Sequence, residues 1–167
     1  APMDKVDEIV AQWHRERADL DVGPMALLGR YKQAYNLLSK EMARTFAAHD
    51  LNPASFDVLA TLRRAGPPHA LSPGDLLKSM MVTSGTMTNR IDQLVKAGLV
   101  ERQKHPEDGR KFVIALTAEG FARIDRAVTD HVATQHGLVA DLSAAEQAEL
   151  NRLLTLFLAQ LEKKVEP

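Results

Sequence analysis

Thr83-Ser84-Gly85-Thr86-Met87-Thr88-Asn89-Arg90-Ile91-Asp92-Gln93-Leu94-Val95-Lys96-Ala97-Gly98 leads into Leu99-Val100-Glu101-Arg102-Gln103-Lys104, then His105-Pro106-Glu107-Asp108-Gly109-Arg110 and Lys111-Phe112-Val113-Ile114-Ala115-Leu116-Thr117. Met87, Ile91, Leu94 and Val95 recur at the spacing of one helical face. Thr83 is an N-cap residue type, and Gly98 suits the left-handed position just past a helix end. Residues 99–104 and 111–117 read as two strands, joined by a loop from His105 to Arg110. A polar-fronted helix running straight into a basic hairpin is the pattern to be explained.

Just upstream, Ser72-Pro73-Gly74-Asp75 supplies an N-cap, a first-turn proline and an acid at the capping-box position, and so opens a short helix through Lys78. Met80-Met81-Val82 is the turn between it and the polar helix. Further back, Asn52-Pro53 starts a helix with Phe56, Leu59, Ala60 and Leu62 on its buried face, stopped by Gly66-Pro67-Pro68. Before it, a long apolar stripe runs through Met25, Leu27, Leu28, Tyr31, Tyr35, Leu38, Met42 and Phe46. Val6, Ile9, Val10, Trp13 and Leu20 predict a further helix that ends before Gly23-Pro24. Downstream, Phe121, Ile124, Ala127, Val128 and Val132 mark one helix. After the capping box Ser143-Ala144-Ala145-Glu146, Leu150, Leu153, Leu154, Phe157, Leu158 and Leu161 mark another. These outer helices carry more apolar surface than a small lobe can cover, which predicts a helical dimer interface.

The expected fold is therefore mainly α (α+β), a winged helix-turn-helix with N- and C-terminal dimerisation helices. The expected division is 1–50 for the N-terminal dimerisation helices, 51–117 for the DNA-binding lobe and 118–167 for the C-terminal dimerisation helices. With 167 residues and 45% hydrophobic content, the chain is long enough to bury such a core. It contains 0 cysteines, which excludes disulfides, thiolate metal sites and thiol switches. Residues 1–11 carry acids rather than a basic and then apolar leader, and no apolar run approaches membrane-spanning length, so a cytoplasmic protein with no membrane partner is expected.

The net charge of −1 does not by itself favour nucleic acid. Its distribution does: Arg90, Lys96, Arg102, Lys104, Arg110 and Lys111 cluster in the helix and hairpin quoted above, whereas Asp4, Asp7, Glu8, Glu16, Asp19 and Asp21 lie near the N-terminus. Thr83, Ser84, Gly85, Thr86, Thr88, Asn89 and Arg90 crowd short hydrogen-bonding groups at the start of the polar helix. There base edges and phosphates can approach closely, aided by the positive helix end. Lys104, His105, Arg110 and Lys111 place positive charge at the hairpin tip, with Asp108 shaping the turn or orienting Arg110. The competing reading makes the polar face a solvated, self-capping surface and the charges a guard against edge-strand aggregation.

The chain also resembles the MarR (multiple antibiotic resistance) regulators over nearly its full length. Ser84 through Leu94 with Ala97-Gly98-Leu99-Val100 is similar to that family's recognition helix and first wing strand. Pro106-Glu107-Asp108-Gly109-Arg110, with Ile114, Leu116, Thr117 and Gly120 after it, is similar to its wing signature, although Lys111 stands where the family often has a small hydroxyl residue. The resemblance implies a homodimer reading successive major grooves of a pseudo-palindromic DNA operator, and repression relieved by a small-molecule effector. The extra first helix with Trp13 resembles the urate-responsive subset, which implies a ligand site of Trp13, Asp57, Arg64 and Arg90 for urate, xanthine or an aromatic carboxylate. In that reading Asp57 pairs with Arg90, and Asp57 and Arg64 lie two turns apart on one helix face. The alternatives are a packing anchor for Trp13 and surface charge for Asp57 and Arg64.

No catalytic or cofactor motif is present. His14, His49, His69, His105, His131 and His136 form no HExxH-type pair, and His131 and His136 diverge on a helix, so neither an enzyme nor a metal site is expected. The remaining competitor is a winged-helix protein-interaction module without specific DNA binding.

Overall fold

The structure, a computed structural model, describes residues 3–81 and 87–165. Seven helices and three strands occur among them: α1 (Lys5–Glu16), α2 (Gly23–Ala47), α3 (Pro53–Arg64), β1 (Ala70–Leu71), α4 (Pro73–Ser79), α5 (Met87–Lys96), β2 (Val100–Lys104), β3 (Phe112–Leu116), α6 (Ala118–Val139) and α7 (Ala144–Val165). The chain divides into two compact units, 1–53 and 54–167.

In the first unit, Asp4 closes the α1 N-terminus with a capping box: its carboxylate accepts from the Asp7 N–H at 2.8 Å, while its own N–H donates to Asp7 at 3.0 Å. Arg30 of α2 then reaches both acids, donating to Asp4 at 2.8 Å and to Asp7 at 2.6 Å. Its guanidinium holds the Asp4 carboxyl below the ordinary carboxylate range. Gly29 sits opposite Val6, where a Cβ would make ordinary contact at 3.7 Å, so the two helices approach closely. The predicted helix runs past this one: α1 stops at Glu16, and Leu20 lies beyond it, 42% exposed. Arg17, at the C-cap, takes φ −140° and ψ 68°, outside the helical region, so the backbone leaves the helix before Leu20 can join its stripe.

The second unit is a winged lobe continued by two long helices. Val58, Leu59 and Leu62 of α3, Leu76 of α4, Ile91 and Leu94 of α5, Val100 of β2, Ile114 of β3 and Ile124 of α6 are its buried residues. Their spacings of three and four within each helix are what an amphipathic helix presents to a core. The sheet is antiparallel in the order β1-β3-β2, with Ala70 opposite Ala115, Arg102 opposite Ile114 and Lys104 opposite Phe112. Sequence reasoning supplied β2 and β3 but missed β1, a two-residue strand whose partner lies more than forty residues along the chain.

The expected caps at Ser72 and Ser143 are present. Ser72 accepts from the Asp75 N–H at 3.2 Å, and Ser143 and Glu146 cap one another at 3.1 and 2.8 Å. Gly98 takes φ +75° at the end of α5, and the Leu99 N–H returns to the Leu94 carbonyl at 3.0 Å, turning the helix directly into β2. α6 starts against this turn. Thr117 caps it by accepting from the Gly120 N–H at 3.0 Å, and its hydroxyl donates to the Gly98 carbonyl at 2.6 Å.

Candidate nucleic-acid interface

α5 presents two chemically distinct sides. Ile91 and Leu94 are buried, while Thr88, Asn89, Gln93 and Lys96 are exposed, so a row of hydrogen-bonding and cationic groups faces outward. Arg90 is half-buried, and its Nη1 is buried without a hydrogen-bond partner among the described residues. Thr83, Ser84, Gly85 and Thr86, expected to open this helix, lie outside the described residues.

The hairpin tip is a built turn. Asp108 accepts from the Arg110 N–H at 3.1 Å and from its Nε at 3.4 Å, and the Asp108 carbonyl accepts from the Lys111 N–H at 3.0 Å. Asp108 therefore both shapes the turn and orients Arg110. His105 is drawn into the same turn, its Nδ1 accepting from the Glu107 N–H at 3.1 Å, which leaves Nε2 as the protonated nitrogen of the neutral ring. The Arg110 side chain is 93% exposed despite its aspartate contact, and Lys104 and Lys111 are also exposed. A cation held at its base and free at its end suits a phosphate, which a flexible screened pair would not hold in register.

Two of the residues implied as ligand contacts serve the helix-turn-helix directly. Asp57 is buried at 6% exposure, and its Oδ1 accepts from the Met81 N–H at 3.3 Å. Arg64, two helical turns on, donates from Nη2 to the Ser79 carbonyl at the end of α4. Together they hold the chain at Ser79 and Met81, where α4 ends. The resemblance pairs Asp57 with Arg90; the contact seen here is the Met81 N–H, just past the end of α4, donating to the Asp57 carboxylate. Trp13 stands 40% exposed on α1 and belongs to the other unit.

Sequence reasoning counted Arg102 among the clustered bases but did not pair it with Asp92. Arg102 of β2 donates to the Asp92 carboxylate of α5 and lies 6.0 Å from the centroid of the Phe112 ring. Their partnership spans ten residues across a turn, a separation that no helix or strand periodicity flags. Among the described residues no cluster of acids and histidines is arranged to hold a metal, and no helix is long and apolar enough to cross a membrane.

Comparison with known proteins agrees with this geometry. The MarR family model matches residues 51–112, the stretch from the start of α3 to the start of β3. The HTH-type transcriptional regulator PecS of Dickeya dadantii is 39% identical over 150 residues, covering 90% of each chain. A mutant MarR from E. coli in complex with operator DNA superposes with a TM-score of 0.70 at 28% identity, covering 82% of this chain and 97% of that one. BpsR of Bordetella bronchiseptica, solved in a study of how 6-hydroxynicotinic acid regulates its DNA binding, gives a TM-score of 0.67 at 26% identity, over 77% of this chain and 90% of that one.

Proposed function

The chain belongs to the MarR family of DNA-binding transcriptional regulators, and we propose that it is a homodimeric repressor that holds a pseudo-palindromic operator and is released by a small anionic aromatic ligand. The observation that carries this reading is the joining, through Gly98, of a polar-faced helix to a hairpin with an anchored but free-ended arginine at its tip. The helix suits the major groove. Arg110, Lys104 and Lys111 then fall to the flanking backbone or minor groove, with Thr88, Asn89 and the undescribed residues 83–86 addressing bases and phosphates.

Dimerisation is supported by α7. None of its 22 residues is buried, yet Leu150, Leu153, Leu154, Leu156, Leu158 and Leu161 all lie on it and are exposed. Burying one such side chain is worth about 1.5–3 kcal/mol, so a leucine-rich helix left in water loses most of its stabilisation. Leu27, Leu28, Tyr31, Tyr35 and Leu38 of α2 are exposed in the same way. A second copy of the chain offers the same surfaces in return, with 1–50 and 118–167 dimerising and 51–117 binding DNA. This reading places the protein in the cytoplasm, with its operator.

The contacts of Asp57 and Arg64 supply a route to release. An anion that engages Arg64 competes with the Ser79 carbonyl at the end of α4, and one that engages Arg90 bears on α5 itself; either favours a state in which the two recognition helices no longer match successive grooves. The regulation of BpsR by an aromatic acid supports that ligand class. Trp13 is the aromatic implied to stack on the ligand.

The experiment is selection of bound sequences from a pool of random duplexes, then titration of the selected duplex with urate, xanthine and 6-hydroxynicotinate, for the native chain and for Trp13→Ala and Arg64→Ala. The reading predicts one enriched pseudo-palindrome, released by at least one of these anions and less readily in the variants. Equal affinity for every duplex would leave the protein-interaction module as the better reading.

A further inference from the structure

We propose that Asp92 and Arg102 form a latch that sets the angle between the recognition helix and the wing, and so places the cations of the wing tip; its DNA consequence rests on the reading above. α5 and β2 meet at Gly98, a single residue at φ +75°. Asp92 lies about 9 Å back along the helix from that point, at 1.5 Å per residue. Arg102 lies about 13 Å out along the strand, at 3.3 Å per residue. The Arg102–Asp92 ion pair closes the third side of this triangle. With it in place, the angle at Gly98 is fixed by side chains as well as by the turn.

The cross-strand register explains why Arg102 can take this role. Val100, Arg102 and Lys104 stand opposite Leu116, Ile114 and Phe112, so all six share one face of the hairpin. Val100 and Ile114 are buried at the base of that face, and the Phe112 ring, 43% exposed, continues the apolar strip toward the tip. The Arg102 guanidinium lies within 6.0 Å of the centre of this ring and donates to the Asp92 carboxylate. The ring and the carboxylate thus both narrow the conformations open to the arginine.

The tip lies beyond Lys104, about 20 Å from Gly98 along the strand. A swing of roughly 10° about Gly98 moves Lys104 by about 3 Å, and Arg110 by more, which separates an arginine from a phosphate held at hydrogen-bond distance. Both partners of the latch are partly solvated, with side chains 38% and 47% exposed, so the ion pair adds little to folding stability. Its effect falls on where the wing points.

Two measurements test this. The first needs no DNA: the chain has no cysteine, so a spin-label pair at Gly109→Cys on the tip and Arg126→Cys on α6 reports the wing directly. Arg102→Met is expected to broaden the distance distribution, with the melting temperature within roughly 2 °C of the parent. The exchanged pair Asp92→Arg/Arg102→Asp is expected to narrow it again. An unchanged width in Arg102→Met overturns the latch, whatever the protein does with DNA.

The second is a double-mutant cycle on the selected operator duplex. Arg102→Met is expected to weaken binding about tenfold when the wing tip is intact, and by no more than about twofold when Arg110 and Lys111 are already Ala. An equal loss in both backgrounds would make Arg102 a direct DNA contact and refute positioning. A native chain with no preference among duplexes would instead refute the operator reading and leave the spin-label result standing.

Discussion

Gly120→Ala tests the packing that fixes the base of the wing. A Cβ built on Gly120 falls 1.9 Å from the Leu99 carbonyl oxygen and 2.8 Å from its carbonyl carbon, whereas real Cβ atoms stay beyond 3.0 Å of such neighbours. Both clashing atoms are backbone, so no rotamer change relieves them. The first turn of α6 must back away by about 1 Å or more. That shift stretches the two bonds tying α6 to the α5–β2 turn: the Thr117 hydroxyl to the Gly98 carbonyl at 2.6 Å, and the Thr117 N–H to the Leu99 carbonyl at 3.1 Å. Each is worth about 1 kcal/mol, and overpacking strain adds about 1–3 kcal/mol, so a loss of about 3–5 kcal/mol is expected. With a urea dependence of about 2 kcal/mol per molar, the unfolding midpoint falls by roughly 2 M. Gly74→Ala is the control. Nothing lies within 4 Å of its added Cβ, so the variant keeps or slightly raises the midpoint. A Gly120→Ala midpoint within about 0.5 M of the parent would refute this packing argument.

Three further outcomes rest on named contacts. Burial beside the Phe56 ring, 4.9 Å away, holds the His131 pKa below its ordinary value, so folding favours the neutral ring. The stability it contributes is present above pH 6.5, the unfolded value, and is lost as pH falls through the lower folded value; His131→Leu should flatten the unfolding midpoint between pH 7 and 5. Asp57→Asn keeps an acceptor for the Met81 N–H, whereas Asp57→Ala leaves it unmet, so in urea titrations only the second variant should lose about 1–2 kcal/mol. Arg110→Ala removes an exposed tip cation, so the slope of log affinity against log salt for the selected duplex should become shallower by about 1 per chain, with unfolding unchanged.

The elements that could be read from sequence are those whose signals are local. Ser72, Gly98 and Ser143 are caps whose partners lie within five residues, and each performs the role its residue type suggests. The α5 face and the two wing strands are periodic over enough residues to be read alone. β1 was not legible: two residues carry no periodicity, and their partners, Ala115 and Ile114, are remote in sequence. The end of α1 was misplaced because Leu20 fits the apolar spacing by coincidence, while the backbone already leaves the helical region at Arg17.

The same distinction separates the site residues. Arg110 and Lys111 were visible because exposed charge at a hairpin tip comes with the hairpin itself. Asp57 and Arg64 were visible as a pair on one helix face, but their contacts with the backbone at Met81 and Ser79 were not, because a backbone group has no signature in sequence. Arg30 holds two acids more than twenty residues away, and Arg102 reaches back ten residues to Asp92; both depend on elements crossing in space.

Operator recognition of this kind requires that two chains read two successive major grooves through α5, with a wing beside each. The decisive experiment is hydroxyl-radical footprinting of the selected duplex, with the stoichiometry of the same complex measured by sedimentation equilibrium. Two chains per duplex are expected, with two protected half-sites about 10 base pairs apart, centre to centre, each with flanking protection that disappears in Arg110→Ala. One chain per duplex with a single protected groove, or protection indifferent to sequence, would overturn the reading.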